Sequence, residues 1–292
     1  MNDTIPTGSL RLDIALEIGG IPRGHITEIT GGVASGKTTL CQHILAEAQK
    51  LGGVCAWIDA DHTFEPRYAG QCGVDLDQLY LANPTSAEQA LETAYILAHS
   101  GAFNAIAIDS LTSLVPIAEL DAPFGTPGVE SVETLLSRQL PQLMAALHGS
   151  QTALLVTGQS RVGMSTVYHE LESHLSRLAL PLTAAVRLEL NPISAPTERQ
   201  AVQRIQVKII KNKFAPCFKT ADLDIIVNRG FNKIGETLDL GEELAIFSRQ
   251  GSLYIYRGFP LGARREEVSE YFCSHPQMTA EIEQAIRQRL RI

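Results

Sequence analysis

Five cysteines, Cys41, Cys55, Cys72, Cys217 and Cys273, are too few, too scattered and of the wrong parity to make a disulfide framework. No two of them form a Cys-x-x-Cys pair, so the pattern suits free thiols better than a zinc site as well. Free thiols suit a reducing compartment, and the cytoplasm is the expected location. No apolar run reaches the ~18 residues of a membrane span, and no membrane partner is expected. The opening Met1-Asn2-Asp3-Thr4 lacks the basic and apolar regions of a secretion signal. Positive charge is also short: the net charge is −8, so nucleic acid would have to be held by a local basic groove rather than by the field of the whole molecule.

The chain does have a core to build. Hydrophobic residues make up 45% of the 292 positions against 19% charged, which excludes disorder. The length allows one large domain and a small one. Short apolar runs alternate with longer helical patterns, as a parallel sheet with crossover helices requires. Strands are predicted over 25–30, 54–59, 105–109 and 153–157, and helices over 39–51, 86–100 and 132–147. Leu40, Ile44, Ala48 and Leu51 share one face of the first helix. Ser86 caps the second, with Gln89 three residues on. Residues 185–190, 204–211 and 222–227 read as strands without long helices between them. Composition shifts near Asn232, and a short helix, a hairpin at 252–257 and two charged helices follow.

Gly31-Gly32-Val33-Ala34-Ser35-Gly36-Lys37-Thr38, followed by Thr39, fits the phosphate-loop pattern between a predicted strand and a predicted helix. Glycines let the backbone curl so that N–H groups face phosphates, and the helix N-terminus adds a positive dipole end. Lys37 is expected to reach the β- and γ-phosphates of ATP, and the Thr38 hydroxyl to ligate Mg2+. The strand 105–109 ends in Asp109, placed to hold the same ion; a strand ending in Asp at an ordinary turn is the alternative. Trp57-Ile58-Asp59-Ala60-Asp61-His62 is a second strand running into carboxylates. Asp59 and Asp61 are both candidates to orient the attacking water, and His62 reads as a loop residue. Tyr68 is either an adenine-stacking ring or a surface tyrosine.

Together these motifs resemble the bacterial RecA family. The opening Thr7-Gly8-Ser9-Leu10-Arg11-Leu12-Asp13-Ile14-Ala15-Leu16, the phosphate loop and Ile58-Asp59-Ala60-Asp61-His62 occur in the family's order. So do Glu65-Pro66-Arg67-Tyr68-Ala69, Gly73-Val74-Asp75, Ile108-Asp109-Ser110, Gly158-Gln159-Ser160-Arg161 and Lys211-Asn212-Lys213. The resemblance implies an α/β fold: a RecA-type P-loop NTPase core with a mostly parallel sheet flanked by helices over 1–232, and a small C-terminal α/β domain over 233–292. It implies a DNA-dependent ATPase that assembles on single-stranded DNA in recombination, repair and the damage response. Tyr68 then becomes the adenine-stacking position, Glu65 a neighbouring adenine contact, and Gln159 the γ-phosphate sensor coupled to the DNA loop. Lys211 and Lys213 reach the ATP of the adjacent subunit, so self-association across the nucleotide is implied. As residues alone, Lys211 and Lys213 also fit a solvated basic edge strand.

Four departures from the family pattern set further expectations. Asp61 stands where the family has the water-activating glutamate; one methylene shorter, by ~1.5 Å, it implies ATP binding with slow hydrolysis. The family's N-terminal docking segment and acidic C-terminal tail have no counterpart, and subunit contacts are expected to differ. The first DNA-facing loop, about 121–133, carries Pro123, Pro127, Glu130 and Glu133, and acidic groups oppose phosphate. The second, about 160–181, has Leu171, Leu175 and Leu178 at helical spacing. Arg161, Arg177 and Arg187 are the candidate DNA phosphate contacts, each equally readable as a surface ion pair. A recombinase is favoured over a RecA paralogue that holds ATP and regulates another RecA-family or repair protein.

Overall fold

The computed structural model describes residues 3–123, 132–159, 180–194, 201–290 and 292. The chain opens with β1 (Thr4–Ile5), α1 (Leu10–Leu16) and β2 (Ile21–Pro22), the two strands pairing antiparallel. There follow β3 (Ile26–Gly31), α2 (Lys37–Lys50), β4 (Val54–Asp59), α3 (Pro66–Gln71), β5 (Leu79–Ala82), α4 (Ala87–Ser100), β6 (Phe103–Asp109), α5 (Ile117–Leu120), α6 (Val132–Ser150) and β7 (Ala153–Gln159). Then come β8 (Val186–Ser194), β9 (Val202–Asn212), β10 (Thr220–Ile226) and β11 (Gly230–Phe231).

Nine of these strands make one sheet in the order β11-β10-β9-β8-β3-β7-β6-β4-β5. The run from β8 to β5 is parallel, and β9, β10 and β11 add antiparallel. Strand alternation supplies both faces. Ala105 and Ala107 enter a core with Leu40, Ile44, Trp57 and Leu155. Ile106 and Ile108 enter a second core with Leu91, Leu135 and Leu147. Four parallel strands therefore end side by side at Gly31, Asp59, Asp109 and Gln159, the edge at which open α/β sheets bind ligands.

Beyond the sheet lies the helix Lys233–Glu243, capped by the Asn232 side chain. Next are β12 (Ser248–Gln250), β13 (Leu253–Tyr256) and β14 (Phe259–Gly262) in one antiparallel sheet. Helices Arg265–Ser274 and Pro276–Leu290 complete this part. Its apolar cluster includes Leu238, Tyr254, Val268, Phe272, Ile282 and Ile286, with Leu10 of α1 packed in.

Three expectations change. The hairpin predicted at 252–257 is a single strand, β13, in the middle of a three-stranded sheet. Leu51 is 48% exposed because α2 ends at Lys50, whereas Leu40, Ile44 and Ala48 are buried as expected. Residues 185–190 read with the antiparallel group, yet β8 pairs parallel with β3 on one side and antiparallel with β9 on the other. The Ser86 cap does form, and Gln89 returns its side-chain bond to the Thr85 N–H at 2.7 Å.

Candidate nucleotide-binding site

The phosphate loop leaves β3 at Gly31 and enters α2 at Lys37. Gly31 and Gly36 in it leave no room for a side chain. A Cβ on Gly31 would sit 2.5 Å from Ser35 Oγ and 2.6 Å from Leu190 O. Gly36 has φ +90°, and a Cβ there would meet Ile225 Cδ1 at 2.7 Å. No side chain caps the 14-residue α2, so its first N–H groups are presented by backbone alone. The Ser35 hydroxyl is buried with no hydrogen-bond partner among the described residues. Lys37 Nζ curls back onto Gly31 O at 3.1 Å and Gly32 O at 2.7 Å. Burial lowers its pKa, opposed by Asp109 and Asp61.

Thr38 Oγ1 donates to Asp109 Oδ2 at 2.7 Å, and Thr157 of β7 donates to the other carboxylate oxygen. Burial raises the Asp109 pKa against these two hydroxyls. A hydroxyl and a carboxylate as hard oxygens beside a helix N-terminus are a donor set that suits a magnesium ion bearing phosphate. Asp59 and Asp61 now separate. Asp59 is buried and accepts the N–H groups of Thr63 at 3.1 Å and Phe64 at 2.9 Å, a turn-holding role. Asp61 faces the site and accepts from Ser110 Oγ at 3.0 Å and from the Ser113 hydroxyl.

A cleft of about 670 Å³ opens beside the loop, lined by Ser35–Thr39, Glu65, Arg67 and Tyr68 on one side and Gln203, Ile225 and Asn228 on the other. Tyr68 OH lies 2.9 Å from Thr39 Oγ1, so its ring stands over the start of α2. Glu65 caps α3 through the Arg67 N–H. Val33 is 82% exposed and Gln203 reaches Ala34 O at 2.9 Å. Gln159 ends β7 beside Gly31, its register partner.

Lys211 ends near Leu182, donating to its carbonyl at 3.2 Å, and Lys213 follows β9 with its N–H on Ala185 O. Arg187 forms an ion pair with Glu28 of β3, whose side chain is 4% exposed. Arg161, Arg177, Glu130 and the leucine pattern at 171–178 lie outside the described residues. Sequence reasoning overlooked Thr157, Ser113 and Gln203. The run Ser110-Leu111-Thr112-Ser113 directly after a strand-end carboxylate was the available signal for Ser113; the other two come from distant strands.

The chain matches the RecA N-terminal domain over residues 1–232 and the RecA C-terminal domain over 235–291. It belongs to the RecA family. It is 43% identical over 289 residues to Protein RecA of Chloroflexus aurantiacus, covering 98% of this chain and 82% of that one. Protein RecA of Aquifex aeolicus is 42% identical over 288 residues, with coverages of 98% and 84%. Protein RecA of Bartonella henselae is 41% identical over 290 residues, with coverages of 98% and 83%. RecA proteins are recombinases that bind ATP and DNA in homologous recombination, repair and the SOS response, and this chain is one of them. The alternative of a regulatory paralogue is not favoured. Among the described residues no helix is long and apolar enough to cross a membrane.

Proposed function

We propose that this RecA protein binds ATP in the cleft beside α2 and hydrolyses it slowly, in step with assembly on single-stranded DNA. The observation that carries the reading is the convergence at one sheet edge of the uncapped α2 N-terminus, Lys37, the Thr38–Asp109 pair and Asp61. The adenine packs on Tyr68 with Glu65 alongside. Phosphates take the N–H groups from Gly32 to Thr39, and the Lys37 ammonium exchanges its two backbone carbonyls for β- and γ-phosphate oxygens. Thr38 and Asp109 hold magnesium, which when bound neutralises charge on those oxygens.

Asp61 orients the attacking water. The water oxygen bonds to the γ-phosphorus, the bridging oxygen leaves with ADP, and the water's proton passes through the carboxylate to product phosphate. The short aspartate makes this step slow, because ~1 Å of misplacement costs on the order of a hundredfold in rate. Gln159, at the end of β7, senses the γ-phosphate and relays it into residues 160–179. Lys211 and Lys213 complete the site of an adjacent copy. We further assign residues 1–232 to the nucleotide-binding core and 233–292 to the small domain. The reading is tested by replacing Asp61 with Asn: ATP affinity should hold while turnover falls, and unchanged turnover would refute the role.

A further inference from the structure

Asp61 differs from the neighbouring Asp59 and Asp109, each of which accepts through both oxygens, in how unevenly its two oxygens are used. Oδ1 accepts three donors: the Ser110 N–H at 3.3 Å, Ser110 Oγ at 3.0 Å and the Ser113 hydroxyl. Oδ2 accepts none among the described residues. Thr112 completes the arrangement, 2.8 Å from Ser110 Oγ. A hydroxyl has one proton to give. With Ser110 donating to Asp61, Thr112 must donate to Ser110, and Ser113, whose Oγ also lies 3.3 Å from Ser110 Oγ, makes its closer contact by donating to the carboxylate. All three hydroxyls sit on the turn Leu111–Ser113 and its N-cap, immediately after the metal-side Asp109.

A free aspartate rotates about its last bond and exchanges its two oxygens; one pinned through Oδ1 cannot. We propose that Ser113 is a positioning residue for ATP hydrolysis: together with Ser110 it clamps Oδ1 of Asp61 and reserves Oδ2 for the attacking water. Ser110 is tied to its place by the backbone of the strand end, so Ser113 is the adjustable half of the clamp. Its side chain is exposed and supports no core, which separates its role from folding. The clamp offsets the shortness of the aspartate by removing the rotational freedom that would otherwise be added to it. This inference rests on Asp61 orienting the water.

The test is single-turnover and steady-state ATP hydrolysis by the full chain on long single-stranded DNA, with ATP affinity measured by a fluorescent ATP analogue. Ser113→Ala should lower turnover about tenfold, the size of one charge-assisted hydrogen bond, with the analogue's Kd within about twofold. Ser113→Thr, which keeps the hydroxyl, should restore most of the rate. In an Asp61→Asn background, Ser113→Ala should cost nothing further. If Asp61→Asn slows turnover but Ser113→Ala does not, the clamp is wrong and the role of Asp61 stands. If Asp61→Asn leaves turnover unchanged, both fall. An equal loss from Ser113→Ala in the Asn background would also overturn the clamp.

Discussion

Thr38 and Asp109 lie 71 positions apart in sequence, and their side chains meet at 2.7 Å, joining the first turn of α2 to the end of β6. With Thr157 of β7 on the other oxygen, the carboxylate is held from a neighbouring strand and a helix. If this pair carries magnesium, Asp109→Asn should weaken ATP binding about 10–100-fold in magnesium. It should change binding little in EDTA. Titration of a fluorescent ATP analogue under both conditions reads the difference; equal loss in both would place Asp109 in the scaffold only.

Tyr68 offers its ring to the cleft while its hydroxyl is engaged with Thr39. Stacking on a base is worth ~1–3 kcal/mol, so Tyr68→Ala should raise the Kd for ATP by roughly tenfold or more. Tyr68→Phe keeps the ring and should cost only a few fold. A phenylalanine variant as weak as the alanine variant would assign the effect to the hydroxyl.

The sheet, the helices α2, α4 and α6, and the phosphate loop were legible because each has a period or a motif of its own. The separation of Asp59 from Asp61 was not. Both follow the same strand, and only the fold reveals that Asp59 turns inward to the Thr63 and Phe64 amides. The Arg187–Glu28 pair was illegible for a similar reason: it joins neighbouring strands 159 residues apart. The three-stranded sheet was read as a hairpin because β12 and β14 are short and polar or proline-bearing, without alternation to mark them. Ser113 carried a local signal, but nothing in the sequence indicates that its hydroxyl turns back to Asp61.

Arg187→Ala should destabilise the protein, because it leaves the buried Glu28 carboxylate without its partner. Such losses run to ~3–5 kcal/mol for a buried charge; the arginine's partial exposure of 24% places the expectation at the lower end. Thermal melting reads it. The salt dependence of single-stranded DNA binding should keep its slope; a slope reduced by about one counterion would assign Arg187 to the DNA.

Glu236 accepts from Ser9 Oγ at 2.7 Å and the Leu10 N–H at 2.8 Å, fastening the helix Lys233–Glu243 to α1. Burial pushes its pKa from 4.5 up to about 7. The folded protein therefore holds this proton more tightly than the unfolded chain. Its contribution is full below about pH 4.5 and is lost as pH rises to about 7. Asp13, raised to about 6 by burial beside Arg287, acts in the same sense. His43, lowered to about 3 by burial, acts in the opposite sense. Comparing wild type with Glu236→Gln isolates the Glu236 contribution. The stability advantage of wild type should shrink between those pH values by at most ~3 kcal/mol. Parallel curves would show that Glu236 does not titrate in that window.

The most direct measurement is ATP hydrolysis by the purified chain with and without long single-stranded DNA, with Lys37→Ala as the blank. The account predicts slow turnover that DNA clearly stimulates and that Lys37→Ala abolishes. ATP bound at the site with no stimulation by DNA would contradict it.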